Sequence, residues 1–194
     1  MTPTGPQPET PPADDAALVA RARQGDRAAF DGLVRRHAPR IFGLALRLVR
    51  DRDEAEDVVQ EACVKAWLGL SAFHGGVEFR AWLLRIALNA ARDHLRARRR
   101  RPDVPLDLAP EPELRETARA LPDEELERRM FSERVARAVD RLGPEHREIL
   151  LLRAVEELSY DEMAAALEIP RGTVMSRLAR ARERLRALLD EGVS

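Results

Sequence analysis

The sequence predicts an all-α chain of two small helical domains joined by a flexible linker, and three observations carry that prediction. Apolar residues recur at three- and four-residue spacing across two blocks, Asp14–Arg98 and Phe131–Leu189. No segment alternates with period two for long enough to read as a strand. Between the blocks, Pro102, Pro105, Pro110, Pro112 and Pro122 interrupt a stretch in which acids outnumber bases after an initial arginine run. The boundaries expected are a disordered tail over 1–13, a first domain over 14–98, an acidic linker over 99–130 and a second domain over 131–190. A short helical piece is expected inside the linker near Glu124–Arg129.

Along the first block, Leu18 and Ala22 mark one helix. Phe30, Leu33, Val34, Ile41, Leu44, Ala45, Leu48 and Val49 mark the next. Gly25-Asp26, Asp51-Arg52-Asp53 and His74-Gly75-Gly76 read as the breaks. The helix Glu54–Leu70 has an inner stripe of Ala55, Val58, Val59, Ala62, Ala66 and Leu70. Glu54, Asp57, Gln60 and Glu61 share another face. Acids complement the macrodipole at a helix start, so this face reads equally as a capped first turn or as a docking surface for a basic partner.

The helix Phe79–Arg98 turns Trp82, Leu83, Ile86, Ala87 and Ala90 inward, while Arg85, Asn89, Arg92 and Arg96 form one polar strip. From Arg80 to Arg101 there are eight arginines and one acid, Asp93. The preceding loop, Ser71–Glu78, holds Phe73, His74, Gly75 and Gly76. An aromatic loop beside an arginine strip suits an unstacked nucleic-acid strand, with arginines on phosphates and a pocket for a base. For Trp82 a place in the core and a base contact stand level.

In the second block, Ser159-Tyr160-Asp161-Glu162 is a capping box that opens a short helix, Tyr160–Leu167, burying Met163, Ala164 and Leu167. The chain turns through Glu168-Ile169-Pro170 into a longer helix, Arg171–Leu188. Its inner stripe is Val174, Leu178, Ala181, Leu185 and Leu188; its outer face carries Arg171, Arg177, Arg180, Arg182, Arg184 and Arg186. Short helix, tight turn and basic long helix make a helix-turn-helix suited to a major groove.

Composition narrows the chemistry. The chain has 194 residues, 33 basic and 34 acidic, with a net charge of −1, which argues neither for nor against nucleic acid. No apolar run reaches the ~18–20 residues of a membrane span, and Met1–Ala13, with five prolines, does not read as a signal peptide. The single cysteine, Cys63, excludes an internal disulfide and any site built on several thiolates. It sits on the inner side of its helix without a histidine base, so a buried thiol is expected rather than a nucleophile. His37, His74, His94 and His146 show no ligand spacing, and there is no glycine-rich phosphate loop. Glu54, Asp57 and Glu61 could hold Mg²⁺ in a helical nucleotide hydrolase, but the facing helix offers arginines where a second carboxylate pair is needed. A non-enzymatic protein with no cofactor and no metal is expected, in the cytoplasm.

These pieces resemble a family. Glu54-Ala55-Glu56-Asp57-Val58-Val59-Gln60-Glu61, Ala66-Trp67, Phe79, Trp82-Leu83, Arg85-Ile86-Ala87, Asn89 and Asp93 are similar to region two of the extracytoplasmic-function sigma factors. Gly25-Asp26, Ala29-Phe30 and Leu33 fit its opening. Ser159–Ala164, Pro170, Gly172-Thr173-Val174, Ser176-Arg177-Leu178 and Arg180-Ala181-Arg182 are similar to region four. The resemblance implies that Glu54, Asp57, Gln60 and Glu61 dock on the clamp helices of the largest subunit of core RNA polymerase. It gives Phe73, His74, Trp82, Arg85, Asn89, Arg92 and Arg96 to the unpaired strand of the minus-ten element. Arg171, Thr173, Met175, Ser176, Arg177, Arg180 and Arg184 go to the minus-thirty-five duplex. It also implies contact with the flap of the second-largest subunit, a linker towards the RNA exit path, an anti-sigma partner, no appended regulatory domain and no membrane insertion. In holoenzyme the protein would associate with the nucleoid. A free-standing helix-turn-helix regulator is the alternative.

Three positions depart from the pattern: Cys63 stands where the family usually has Phe, Glu168 where the turn often has Gly, and Met175 with Ala179 where relatives present basic or larger groups. A non-glycine residue at positive φ in that turn costs ~1 kcal/mol. Base readout then leans on Ser176 and Arg180.

Overall fold

The structure is a computed structural model that describes residues 14–75, 77–100 and 123–191; expectations for the 1–13 tail and for 101–122 of the linker fall outside it. The described residues form eight α-helices and one 3-10 turn, with no strand among them. In order these are α1 (Asp15–Arg23), α2 (Arg27–Val49), α3 (Arg52–Gly69), the turn Leu70–Ala72, α4 (Phe79–Arg99), α5 (Asp123–Asp140), α6 (Pro144–Ala154), α7 (Tyr160–Leu167) and α8 (Arg171–Glu191).

Side-chain caps explain where the helices begin. Asp26 accepts from the Ala29 amide at 3.1 Å to start α2, and Asp51 accepts from the Glu54 amide at 2.9 Å to start α3. Pro144 opens α6 at a position where its missing N–H costs nothing. At α7 the expected capping box is complete: the Glu162 amide donates to Ser159 Oγ at 3.2 Å, and the Ser159 amide donates to Glu162 Oε2 at 2.7 Å. Both α2 and α7 end on a left-handed residue, Arg50 at φ 61° and Glu168 at φ 56°. Glu168 therefore holds the conformation the turn requires without glycine's freedom.

The first domain packs α1–α4 around Leu33, Ile41, Leu44, Val58, Leu84 and Leu88. Ala55, Ala62 and Ala66 are fully buried, and their small side chains let α3 lie close against α2 and α4. The second domain packs α5–α8 around Ile149, Leu152, Leu158, Met163, Val174 and Leu178.

One expectation changes. The helical piece placed inside the linker and the first helix of the second block are one helix, α5, so the boundary at 131 falls inside an element. No Gly or Pro lies between Asp123 and Leu142 to break it. The two domains touch, α4 lying along α7 and α2 meeting α6.

Candidate nucleic-acid and partner interfaces

Three surfaces follow from this scaffold. On α3, Asp57 and Gln60 are exposed, while Glu54 and Glu61 sit half-buried at the edge facing α4. Glu54 accepts from Arg98 at 3.2 Å. Glu61 pairs with Lys65 at 2.5 Å and with His94 at 3.2 Å. The Lys65 hydrogen bond, outweighing partial burial, holds the Glu61 carboxyl below its ordinary pKa. The same face continues to Val64 and Leu68, 59% and 73% exposed. Periodicity had not singled these two out, although their positions fall off the inner stripe of the helix. An acidic patch continued by two exposed apolar side chains is complementary in chemistry to basic and apolar groups. Cys63 beside it is half-buried, and burial raises its thiol pKa, which favours the protonated form.

The second surface is the loop before α4 and the strip along it. Phe73 and Trp82 are buried, 7% and 8% exposed, and with Phe79 form an aromatic cluster. Ring centroids lie 5.0 Å apart for Phe73–Trp82, 5.6 Å for Phe79–Trp82 and 5.9 Å for Phe73–Phe79. This packing holds the loop against α4. The edge of Trp82 floors a groove of about 370 Å³ that Arg85, Ile86, Asn89 and Lys65 also line. His74 is exposed at the loop tip, beside Gly75 at φ 72°.

The strip itself is present on one face, yet its arginines are occupied. Arg92 makes a two-pronged ion pair with Glu148 of α6, at 2.8 and 2.7 Å, and donates to Asn89 Oδ1 at 3.0 Å. The Glu148 hydrogen bonds hold the Arg92 guanidinium pKa above its ordinary value, against the effect of burial. Arg85 reaches Glu168 at 3.2 Å, and Arg80, on the same helix, reaches Glu162 at 3.3 Å. Arg96 pairs with Asp93 of its own helix and stays exposed.

The third surface is the outer face of α8. Val174, Leu178, Ala181 and Leu188 are buried as the pattern requires. Arg171, Met175, Ser176, Arg180 and Arg184 are exposed, and Thr173 is half-buried at the first turn, its amide donating to the Pro170 carbonyl at 2.8 Å. Arg171 reaches Asp161 at 3.2 Å, Arg177 reaches Glu145 at 3.3 Å, and Arg180 Nε donates to the Ser176 carbonyl at 3.3 Å. Met175 is 51% exposed among these groups, an apolar contact on an otherwise cationic face. Among the described residues no group of His, Cys, Asp and Glu gathers as a metal site.

A helical bundle with an arginine-lined groove and an acidic flank, followed by a helix-turn-helix, has the architecture of a two-domain nucleic-acid-binding protein. Residues 33–101 match the family model for sigma-70 region 2, and residues 132–185 match that for sigma-70 region 4. The chain is 42% identical to the RNA polymerase sigma-H factor of Pseudomonas aeruginosa over 174 residues, which span 87% of this chain and 90% of that protein. It is 41% identical to the extracytoplasmic-function sigma-E factor of Escherichia coli K12 over 174 residues, 87% and 91% of the two chains. Among solved structures it resembles CnrH bound to the cytosolic domain of CnrY, with TM-score 0.66 and 33% identity over 91% of this chain and 97% of that one. It also resembles the sigma factor RpoE bound to the anti-sigma factor NepR from Bartonella quintana, with TM-score 0.64 and 27% identity over 83% and 96%.

The chain belongs to the extracytoplasmic-function sigma factors of RNA polymerase. As such it binds core RNA polymerase and directs promoter recognition, DNA opening and transcription initiation. The family consists of non-catalytic initiation factors. The matches support this reading and not a free-standing regulator. No helix among the described residues is long and apolar enough to cross a membrane.

Proposed function

We propose that the three surfaces divide the work of initiation between them. The exposed face of α3, centred on Asp57 and Gln60 with Glu54 and Glu61 at its edge, docks on the clamp helices of the polymerase largest subunit. The groove beside Trp82, the loop at Phe73–His74 and the strip Arg85, Asn89, Arg92 and Arg96 receive the unpaired strand of the minus-ten element. Unstacking a base costs a few kcal/mol, offset by pocket and phosphate contacts. The outer face of α8, through Arg171, Thr173, Met175, Ser176, Arg177, Arg180 and Arg184, enters the major groove of the minus-thirty-five element. The first domain spans 14–98 and the second runs from the start of α5 to residue 190, with the linker between them. The second domain meets the flap of the second-largest subunit, and the linker follows the RNA exit path between them. The protein acts through binding alone, in the cytoplasm and on the nucleoid once in holoenzyme, and an anti-sigma partner restrains it.

The observation that carries this reading is the separation of charge in the first domain. Asp57 and Gln60 are exposed on α3, while Arg85 and Arg92 of the adjacent helix are turned to the second domain and Arg98 meets Glu54 at the edge between them. Run-off transcription with core enzyme tests it. Asp57→Arg is expected to abolish core binding while thermal unfolding stays within ~0.5 kcal/mol of the parent, the range for an exposed substitution. Unchanged core affinity removes α3 as the docking helix.

A further inference from the structure

The outer face of α8 is cationic, yet its first two turns present something else to solvent. Arg171 reaches back to Asp161 of α7 at 3.2 Å, and Arg177 reaches Glu145 of α6 at 3.3 Å. Arg180 turns its Nε onto the Ser176 carbonyl at 3.3 Å, and Ser176 Oγ donates to the Thr173 carbonyl at 3.2 Å. Between these groups stands Met175, 51% exposed, the only large apolar side chain of α8 that is turned out to solvent.

Its neighbours along the helix leave it standing clear. The residues three before and four after it share its side of the helix, and they are Gly172 and Ala179, both exposed. A Cβ added at Gly172 would meet nothing within 4 Å, so the space on that side is open. Gly172, Met175 and Ala179 thus make a neutral lane through the charge, with one long, adaptable side chain at its middle. Packing does not explain that side chain. Val174 and Leu178 carry the contact between α8 and the core, and both are buried.

We propose that Met175 is a specificity-determining residue that reads the C5-methyl group of a thymine in the upstream duplex. This rests on the outer face of α8 lying in the major groove of the minus-thirty-five element. In a helix-turn-helix the first turns of the second helix reach the base edges, and Met175 sits there. The major groove displays donors, acceptors and one kind of apolar group, the thymine methyl. A thioether donates no hydrogen and accepts only weakly, so it tells donors from acceptors poorly and a methyl group well. The missing side chain at Gly172 and the short one at Ala179 let the helix come close enough for Met175 to touch the floor of the groove. A protein partner would find a single apolar side chain ringed by Arg171, Ser176 and Arg180, which is no apolar interface core. Thymine is then selected by burying one methyl group, a preference of roughly fourfold over the same base without it.

The test uses holoenzyme assembled from the full chain and a pool of duplexes randomised across the upstream element, each carrying the same pre-opened bubble downstream. The pool is made twice, once with thymine and once with uracil, which pairs identically but lacks the methyl group, and the bound fraction is sequenced. The parent is expected to enrich thymine at a position of the first pool and to lose roughly fourfold of that enrichment in the second. Met175→Ala is expected to lose it in the thymine pool and to show no further change with uracil, the non-additivity of two groups in contact. Met175→Leu, apolar and of similar volume, is expected to retain it. The proposal is overturned by a pool with no thymine preference, or by one that survives either uracil or Met175→Ala. A loss of core affinity in Met175→Ala also overturns it, because the side chain then belongs to a protein interface. Arg180→Ala says which claim failed. If it flattens a position while Met175→Ala flattens none, α8 lies in the groove and only the methyl reading is wrong. If neither variant changes any position, α8 is not the upstream reader.

Discussion

Replacing Trp82 with alanine separates a packing role from a stacking role by which quantity it changes, folding stability or strand affinity. The ring is 8% exposed and touches both Phe73 and Phe79, and its far edge lies so near Gly69 that a Cβ there would come within 3.4 Å of it. Removing a buried tryptophan costs ~3–5 kcal/mol, part of it from the two aromatic pairs, each worth ~0.5–1.5 kcal/mol beyond area. Against a stability of ~5–15 kcal/mol for a domain, that is a large share of the total. With a urea slope of ~1–3 kcal/mol/M, a loss of ~4 kcal/mol lowers the unfolding midpoint by ~2 M. Trp67, packed edge-on against Phe30 at 5.0 Å, remains as the fluorescent probe. A purely stacking tryptophan behaves oppositely: its removal leaves the midpoint nearly unchanged and weakens single-strand binding by ~1–3 kcal/mol per base. Trp82→Phe keeps a ring in the cluster and is expected to recover most of the stability. A midpoint for Trp82→Ala within ~0.5 M of the parent, with strand binding lost, would refute the packing argument, since such a shift is below any buried-ring loss at this slope.

Arg180→Ala is expected to cost ~1–3 kcal/mol of discrimination between promoter and scrambled duplex, measured by competition binding of holoenzyme. Equal loss on both sequences moves Arg180 to the phosphates, where the salt slope would fall by about one. The other prediction concerns acidity. Burial raises the Glu156 carboxyl above its ordinary 4.5, against the opposing charges of Arg40, Arg80 and Arg47. Its contribution to folding stability is therefore present at low pH and is lost as pH rises through the raised value. Urea unfolding of the parent is expected to show that loss and Glu156→Gln to flatten it; identical stability profiles would remove Glu156 from the balance.

Much of this fold is legible because its rules are local. Ser159 and Glu162 are three residues apart, so the capping box that starts α7 can be read from four letters. The left-handed end at Glu168 follows from the same short span, since a helix that must turn there has few other backbone choices. The α8 stripe is a matter of period alone. Helix α5 was misdivided because composition changes across it while its backbone does not, and helices end on stop signals rather than on shifts in charge. Trp82 could not be assigned from the sequence, since an inward aromatic and an aromatic at the rim of a groove occupy the same periodic position. The contacts between domains were beyond reach for a different reason. Arg92 and Glu148 are 56 residues apart, and no periodicity states whether a polar residue faces water or a carboxylate from another element. Val64 and Leu68 show the converse, apolar residues whose exposure helical phase alone indicates.

The near-neutral net charge of −1 acquires a meaning from these contacts. A protein that must grip DNA ordinarily carries an uncompensated basic surface, which also binds any DNA it meets and slows its search for a partner. Here the first domain's arginines are matched in two ways. Along the edge between α3 and α4, Glu54 meets Arg98 and Glu61 meets His94, leaving Asp57 outward for a protein partner. On the strip, Arg92 and Arg85 are matched by Glu148 and Glu168 of the second domain. A net charge near zero is therefore the sum of surfaces that are each strongly charged and largely paired, and the placement of the arginines, not their excess over acids, is what distinguishes the chain.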